Sequence, residues 1–273
     1  EIVKLNLKSE NDCFVICEVN RVIAKAKNCI IITRAGISYS TGIPDFISSD
    51  GLYNMIKSQY PGVFRSGKDL FDVQLLRTHE TIKGFNIFMG ILKELIVNAK
   101  PTATHSFIKK LADMKKLKRV YTQNIDNLEK LVGFDVNWQF ERVQNCKAQV
   151  VQLHRTLSKL RYNTCTNICL FILQFCDIFK EGEVPNCSEC VERVILYADT
   201  HPKGLEISQI AKHDQNKADC LIIMETSLGI PEVKNLIKGF ARAIHSRNGC
   251  VILVNATDVA NKGWNSVIDY QIE

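Results

Sequence analysis

Two short polar segments contain side chains that could do chemistry. His154 follows an apolar run at residues 149–153, and an imidazole that titrates near neutral pH is suited to acid and base catalysis. Asn124 and Asp126 follow a similar run at residues 118–122, and an amide with a carboxylate can bind a polar ligand or stabilise a positive charge. By themselves, His154 can equally be a hydrogen-bonded structural residue, and the Asn-Ile-Asp segment can equally be a helix N-cap.

The loop after residues 29–33 is a third candidate. Ala35 and Gly36 place little side-chain volume there, so the backbone can approach a ligand closely. In a parallel sheet such a loop often leads into a helix whose N-terminus favours an anion, as in dinucleotide sites. A glycine after a strand is also common in tight turns, so this motif alone leaves both interpretations open.

Cysteine is unusually frequent, with 11 residues in the chain. An odd, high count in a chain of this size favours a reducing compartment over a disulfide scaffold. Cys29, Cys220 and Cys250 lie in apolar runs and are interpreted as small buried hydrophobic residues. Another group of cysteines lies between residues 155 and 192 and includes one Cys-x2-Cys pair, a spacing typical of zinc sites; it consists of Cys165, Cys169, Cys176, Cys187 and Cys190.

The elements that must position these groups follow from hydrophobic patterning. Apolar, β-branched runs at residues 29–33, 118–122, 149–153, 219–224 and 250–255, with a sixth at 193–197, predict strands buried on both faces. Helical spacing at 81–97, 103–117 and 233–244 lies between them. We therefore predict an α/β fold with a Rossmann-like parallel sheet and helices on both faces. Residues 155–192 lack this alternation, which indicates a second, smaller domain.

Composition narrows the classes further. The chain has 273 residues, of which 46% are hydrophobic and 23% charged, which is enough for one large domain and a small one. The longest near-continuous apolar stretch, residues 168–179, is shorter than the roughly 18 to 20 residues that span a bilayer, so we expect a soluble protein with no membrane partner. The net charge of +6 is compatible with an acidic partner, but without a block of like charges we expect no sequence-specific nucleic-acid binding. The sequence begins at Glu1, and we expect it to be a piece of a longer protein.

Read together, four ordered segments resemble the sirtuins, which are NAD-dependent protein-lysine deacylases. The segments are Ala35-Gly36-Ile37-Ser38 with Gly42-Ile43-Pro44-Asp45-Phe46, Thr122-Gln123-Asn124-Ile125-Asp126, Val151-Gln152-Leu153-His154, and Thr226-Ser227. Residues 196–202 and 268–272 look most like the fungal Hst group, whose members deacetylate histones. The resemblance extends over residues 29–272.

This resemblance implies an NAD-dependent histone deacetylase in which the acetyl group is transferred to ADP-ribose and nicotinamide is released. It implies an acetylated histone tail or core lysine as substrate, chromatin-associated partners and a nuclear location, with a cytoplasmic one as the alternative. The implied catalytic residues are His154, Asn124 and Asp126. The implied cofactor-binding residues are Ala35, Gly36, Asp45, Phe46, Gln123, Asn124, Asp126, Thr226, Ser227 and Asn255. The implied substrate-binding residues are Tyr197, Ala198 and Asp199.

The resemblance also implies a structural zinc ion in a smaller zinc-ribbon-type domain. Cys165, Cys169, Cys187 and Cys190 are the expected ligands, and Tyr162 stands where the family has its first cysteine. The open alternative is a loop without metal or with three ligands. The implied division assigns residues 20–60, 100–154 and 193–273 to the large NAD-binding part, and residues 61–99 and 155–192 to the small helical and zinc-binding part.

Several positions depart from the family pattern. Arg34 and Glu225 each replace a glycine beside the cofactor, and a carboxylate next to an anionic diphosphate costs binding energy. Further departures are Ile47 for an arginine, and Arg155 and Ala198 for glycines. Two hypotheses follow: an active deacetylase, and a catalytically impaired relative that acts as a binding or scaffold protein in chromatin.

Overall fold

The computed structural model describes residues 2–43, 52–64, 69, 78–136, 146–154, 156–162, 165, 167–187, 204–259 and 262–273. Within these residues, the strands are β1 (Val3–Leu5), β2 (Cys29–Thr33), β3 (Leu117–Thr122), β4 (Val150–Gln152), β5 (Lys159–Arg161), β6 (Ile168–Leu170), β7 (Cys220–Met224), β8 (Cys250–Val254) and β9 (Tyr270–Ile272). The helices are α1 (Cys13–Lys25), α2 (Leu52–Gln59), α3 (His79–Asn98), α4 (Ala103–Asp113), α5 (Leu128–Leu131), α6 (Phe175–Lys180), α7 (Gly204–Gln215) and α8 (Pro231–His245).

The main sheet of the described chain has seven strands in the order β1-β9-β8-β7-β2-β3-β4. Its strand pairs are parallel, as predicted. Five neighbouring strands, namely β8, β7, β2, β3 and β4, match the predicted apolar runs, because strands buried on both faces need no polar alternation. The edge strand β1 and its neighbour β9 were not predicted, since three residues carry too little pattern to indicate a strand.

Helices cover both faces of this sheet, which confirms the predicted α/β architecture. On one face, α7 and α8 pack against alternate residues of the strands, including Ile30, Leu221 and Val251. On the other face, α1 and α4 pack against the intervening residues, such as Ile31 and Ile222. The alternation follows from the two-residue period of a strand.

A third apolar core lies beside the sheet. It joins α2, α3, α6 and the antiparallel pair β5 and β6, and its largest buried side chains include Phe64, Phe88 and Phe179. Ile43 and Ile56, which the predicted division assigns to the large part, also contribute to this core. The short strands and helix of residues 159–180 fit the irregular pattern noted in the sequence.

One predicted helix end is wrong. The pattern predicted a helix over residues 103–117, but α4 ends at Asp113. Lys115 adopts a positive φ of 56°, and the amides of Lys115 and Lys116 donate to the carbonyls of Ala112 and Leu111. This is a Schellman motif, which ends the helix and turns the chain into β3.

Two further expectations concern other parts of the chain. The predicted strand at residues 193–197 lies outside the described residues. Across the part of the chain that the structure describes, none of the helices combines the length and the apolar character needed to cross a membrane.

Candidate functional site

The sheet topology brings the candidate residues to one edge. β2 lies between β3 and β7 in the sheet. From β2 the chain continues to β3 and β4 on one side, whereas β7 and β8 lie on the other side, so the strand order reverses at β2. In parallel sheets a crevice opens at such a switch point, outside the carboxyl ends of the strands. Arg34, Gln123, Glu225 and Asn255 are the first residues after β2, β3, β7 and β8, and His154 follows two residues after β4.

Ser38, Asn124 and Asp126 form a buried hydrogen-bonded cluster beside this crevice. The Ser38 hydroxyl donates to Asp126 Oδ2 at 2.7 Å, and Asn124 Nδ2 donates to Ser38 Oγ at 3.2 Å. Asp126 Oδ1 accepts the amide of Leu128, the first residue of the short helix α5, at 3.1 Å, whereas the N-cap of α5 is Asn127, which makes no side-chain cap hydrogen bond. The predicted N-cap within Asn124 to Asp126 is therefore displaced by one residue, because the helix begins after Asn127.

A small cavity of about 20 Å³ adjoins this cluster. Ala35 and Ser38 line it from the turn after β2, and Leu92 and Ile96 line it from α3. Ser38 was quoted in the sequence motif but was not selected as a site residue. Ser38 lies in the 3-10 turn after β2 and faces Asn124 and Asp126, which belong to the loop after β3. Tertiary packing brings these two segments together.

Beneath the cluster lie two buried titratable side chains. Glu129 is 1% exposed, and neither of its carboxylate oxygens has a hydrogen-bond partner within the described residues. Burial, with a smaller contribution from the charge of Asp126, raises the pKa of Glu129 to about 8. His105 accepts the Thr102 amide at Nδ1, and burial lowers its pKa while Asp126 opposes the shift.

The described groups around His154 favour its neutral form. Burial lowers the pKa of His154, and the charge of Arg34 lowers it further, while Glu232 at the start of α8 acts in the opposite direction. A neutral imidazole can accept a proton, which a base requires. Arg34 itself donates through Nη1 to Ser227 Oγ, across the crevice from the loop after β7.

Glu225 occupies the other side of the crevice. Its backbone has a positive φ of 53°, a conformation that glycine adopts without strain. Its half-buried side chain packs on Gly36, where an added Cβ would lie 2.6 Å from both Glu225 Cβ and Oε2. Glu225 Oε1 accepts the amide of Ala256 at 3.1 Å, and burial raises the pKa of this carboxyl group.

Two buried acceptors near the same edge have no partner among the described residues, namely Gln123 Oε1 and Asn255 Oδ1. Asn255 Nδ2 donates to the carbonyl of Thr257 at 2.9 Å, which fixes the amide and leaves its oxygen available. Thr226 is buried, and its hydroxyl accepts the amide of Leu228 at 3.4 Å, whereas Ser227 is exposed. The edge thus offers hydroxyls, amide oxygens and backbone to a polar ligand.

The cysteine cluster forms a separate polar site. Cys165 Sγ and Cys187 Sγ lie 3.5 Å apart, and Cys169 Sγ donates to the Tyr162 hydroxyl at 3.7 Å. Tyr162 in turn donates to the carbonyl of Asn186 at 3.2 Å, and its pKa is raised, first by burial and then by these thiols. Within the described residues, no group of three or more ligands is arranged to hold a metal ion.

Several predicted site residues lie outside the described residues. These are Asp45 and Phe46 of the cofactor loop, the departures Ile47 and Arg155, the zinc ligand Cys190, and the substrate residues Tyr197, Ala198 and Asp199.

An α/β sheet with a polar crevice at its switch point belongs to the doubly wound class of folds, which bind ligands, dinucleotides among them, in that crevice. Residues 34–231 match the family model of the Sir2 family. The chain therefore belongs to the Sir2 family, and the predicted sirtuin resemblance is confirmed.

Known relatives are consistent with the Hst-like features. The chain is 38% identical to the NAD-dependent histone deacetylase HST3 of Candida albicans, covering 93% of this chain and 58% of that protein. It is 35% identical to HST3 of Saccharomyces cerevisiae, covering 94% and 65%. With the NAD-dependent protein deacetylase hst4 of Schizosaccharomyces pombe it is 34% identical, covering 98% and 69%. The chain thus spans about three fifths of the two HST3 relatives.

Solved structures share the fold. A structure described as a basis for the mechanism and regulation of Sir2 enzymes superposes with a TM-score of 0.66 at 24% identity, covering 94% of this chain and 91% of that one. A Sir2 protein bound to an acetylated peptide gives a TM-score of 0.69 at 19% identity, covering 94% and 92%.

Proposed function

We propose that this chain is an NAD-dependent protein-lysine deacetylase that acts on acetylated histones. The observation that carries the proposal is the cluster of Ser38, Asn124 and Asp126, which lies at the same sheet edge as His154 in a member of the Sir2 family. The names of the relatives support the activity and the substrate class, since the two HST3 proteins are called NAD-dependent histone deacetylases.

Several of the described residues support a dinucleotide as the ligand. Gly36 lacks a side chain where the backbone meets the crevice, and Asn255 Oδ1 and Gln123 Oε1 are buried acceptors suited to hydroxyl or amide donors. Thr226 and Ser227 would place hydroxyls near the phosphates. When bound, NAD supplies the ADP-ribose acceptor for the acetyl group and releases nicotinamide.

In this proposal His154 is the base that accepts a proton from a ribose hydroxyl. Its lowered pKa keeps the imidazole neutral at physiological pH, as this role requires. Asn124 would bind the nicotinamide carboxamide, and Asp126, held by the Ser38 hydroxyl, would face the developing positive charge on the ribose. Ala35 and Gly36 would admit the diphosphate.

Further roles rest on the family pattern alone. Asp45 and Phe46 would close over the cofactor. Residues 197–199, which comprise Tyr197, Ala198 and Asp199, would pair with the substrate backbone as an added strand. We also propose the division into a large part of residues 20–60, 100–154 and 193–273 and a small part of residues 61–99 and 155–192. A nuclear location and chromatin-associated partners complete the proposal.

We include a structural zinc ion held by Cys165, Cys169, Cys187 and Cys190. The 3.5 Å between Cys165 Sγ and Cys187 Sγ is close to the roughly 3.8 Å edge of a tetrahedron with Zn–S bonds of about 2.3 Å. Elemental analysis of the purified protein should give one zinc per chain, and Cys187→Ser should remove it. Less than a tenth of an equivalent in the unaltered protein would exclude the ion.

The activity is tested by incubating the purified protein with NAD and an acetylated histone peptide and measuring nicotinamide. We expect release that depends on the peptide and is abolished in His154→Ala. His213→Ala, on the exposed side of α7, is the matched control and should retain full activity. Release no greater than that of folded His154→Ala would refute the proposed activity.

The position of Glu225 favours the second candidate, a catalytically impaired relative that does not bind NAD and acts as a binding or scaffold protein in chromatin. Its carboxylate packs on Gly36, on the surface where the diphosphate would approach. This alternative predicts that calorimetry detects no NAD binding by the unaltered chain and that Glu225→Gly restores binding. Measurable NAD binding by the unaltered chain would rule it out.

A further inference from the structure

Arg34 extends across the crevice at the switch point, where the strand order reverses between β2 and β7. It is the first residue after β2, and its backbone is extended, with φ −142° and ψ −176°. Thr33 and Met224 are paired in the parallel register of β2 and β7, so Arg34 and Ser227 leave neighbouring strand ends. The guanidinium donates to the Ser227 hydroxyl, which joins the two loops over the crevice.

The charge of Arg34 acts on the candidate base. After burial, it is the second cause of the lowered pKa of His154. Glu225 carries the opposite charge, but its carboxylate is turned toward Gly36 and the Ala256 amide. The loop after β2 therefore contributes a positive charge to the crevice, and the loop after β7 contributes a carboxyl group that is held at the Ala256 amide.

This arrangement suits an anion that lies between the two loops. A guanidinium presents a planar set of donors that matches phosphate oxygens, and its charge persists at any physiological pH. The hydrogen bond to Ser227 holds the side chain before the ligand arrives, so less conformational entropy is lost on binding. A glycine at this position would contribute only its backbone.

We propose that Arg34 is a binding residue for the diphosphate of the dinucleotide, reaching it from the Ser227 side of the crevice. The inference rests on the proposed function in taking a dinucleotide as the ligand. Arg34 stands where the family pattern has a glycine. In this proposal, its side chain contacts the diphosphate in place of the close backbone approach that a glycine allows. Arg34 also offsets part of the repulsion that Glu225 imposes on the phosphates.

Calorimetry with ADP-ribose and with adenosine tests the inference, because adenosine lacks the phosphates. Arg34→Gln should weaken ADP-ribose binding at least tenfold and leave adenosine binding unchanged, and Arg34→Lys should retain part of the affinity. Raising the salt concentration should weaken ADP-ribose binding more in the unaltered protein than in Arg34→Gln. Arg161→Gln, an exposed change on β5, is the matched control and should have no effect.

Three results would overturn the inference. They are unchanged or tighter ADP-ribose binding in Arg34→Gln, an equal loss of ADP-ribose and adenosine binding, and no ADP-ribose binding by the unaltered protein. The proposed function fails separately. If the unaltered protein binds ADP-ribose through Arg34 but releases no nicotinamide, the deacetylase activity is refuted and the role of Arg34 stands.

Discussion

Glu129→Gln should change how the stability of this protein depends on pH. Glu129 lies in the short helix α5, is 1% exposed, and has no partner for either carboxylate oxygen within the described residues. Removing a carboxylate from water disfavours its charged form, and the nearby charge of Asp126 adds to this. The pKa of Glu129 is therefore raised from 4.5 to about 8.

The magnitude follows from the difference between the folded and unfolded states. Between pH 4.5 and 8 the unfolded chain has an ionised Glu129, whereas the folded protein keeps the proton. The stability that this group contributes is fully present below the unfolded pKa and is lost as the pH rises through the folded pKa. Each pH unit in this window lowers the free energy of unfolding by about 1.4 kcal/mol. From pH 5 to pH 7 the loss is about 2–3 kcal/mol, a large fraction of a typical stability of about 5–15 kcal/mol.

Glutamine has nearly the same shape and does not titrate, so Glu129→Gln should remove this dependence. Urea unfolding followed by circular dichroism at pH 5, 6 and 7 measures it. Relative to the variant, the unaltered protein should lose about 2–3 kcal/mol across this range. Glu181→Gln, an exposed change after α6, is the control and should follow the unaltered protein. If the free energies of unfolding of Glu129→Gln and of the unaltered protein changed equally with pH, the reasoning would be refuted.

Three further predictions follow from the same structure. Glu225→Gly should tighten ADP-ribose binding at least tenfold, because it removes a carboxylate from the surface of Gly36. It should also raise the free energy of unfolding by about 1 kcal/mol, because glycine adopts the positive φ of this position without strain. Weaker ADP-ribose binding by calorimetry would contradict this prediction. Asp214→Asn should lower the free energy of unfolding by about 3–5 kcal/mol. The reason is that buried Asp214 accepts hydrogen bonds from Arg119 Nε at 2.5 Å and from the Tyr121 hydroxyl at 2.7 Å. A loss below about 1 kcal/mol in urea unfolding would be inconsistent with a buried ion pair. The acidic limb of the pH profile of kcat/KM should lie below pH 6.5, the ordinary pKa of histidine, because His154 is the proposed base and its pKa is lowered by burial and by Arg34. Arg34→Gln should move this limb to higher pH. A limb above pH 6.5 in the unaltered protein would argue against His154 as the base.

Local patterning was sufficient for five of the seven described strands of the main sheet. β2, β3, β4, β7 and β8 were predicted because each is a continuous apolar run, which is what burial on both faces requires. His154, Asn124 and Asp126 were found as candidates for the same reason, whereas Thr226, Ser227 and Asn255 were found through the sirtuin resemblance. Parallel strands end at one edge, so a polar residue that directly follows an apolar run is brought to that edge.

Other features depended on contacts between distant parts of the chain. β1 and β9 pair at the edge of the sheet although the register joins Val3 with Tyr270, and no local pattern indicates such a pair. Arg119 and Asp214 form their buried ion pair between β3 and α7. Arginine and aspartate are usually exposed, and the sequence does not indicate that these two are buried, because the free energy of burying a charge depends on a partner that only folding supplies.

The sequence by itself determined the family, the central strands and the residues at the crevice, because these depend on residue type and order. Only the tertiary structure decided how those residues act. It turned Arg34 toward Ser227, turned Glu225 toward Gly36 with a positive φ, and buried Glu129 without a partner among the described residues. Charge, pKa and backbone strain arise from the surroundings of a side chain, and those surroundings are assembled from segments far apart in the chain.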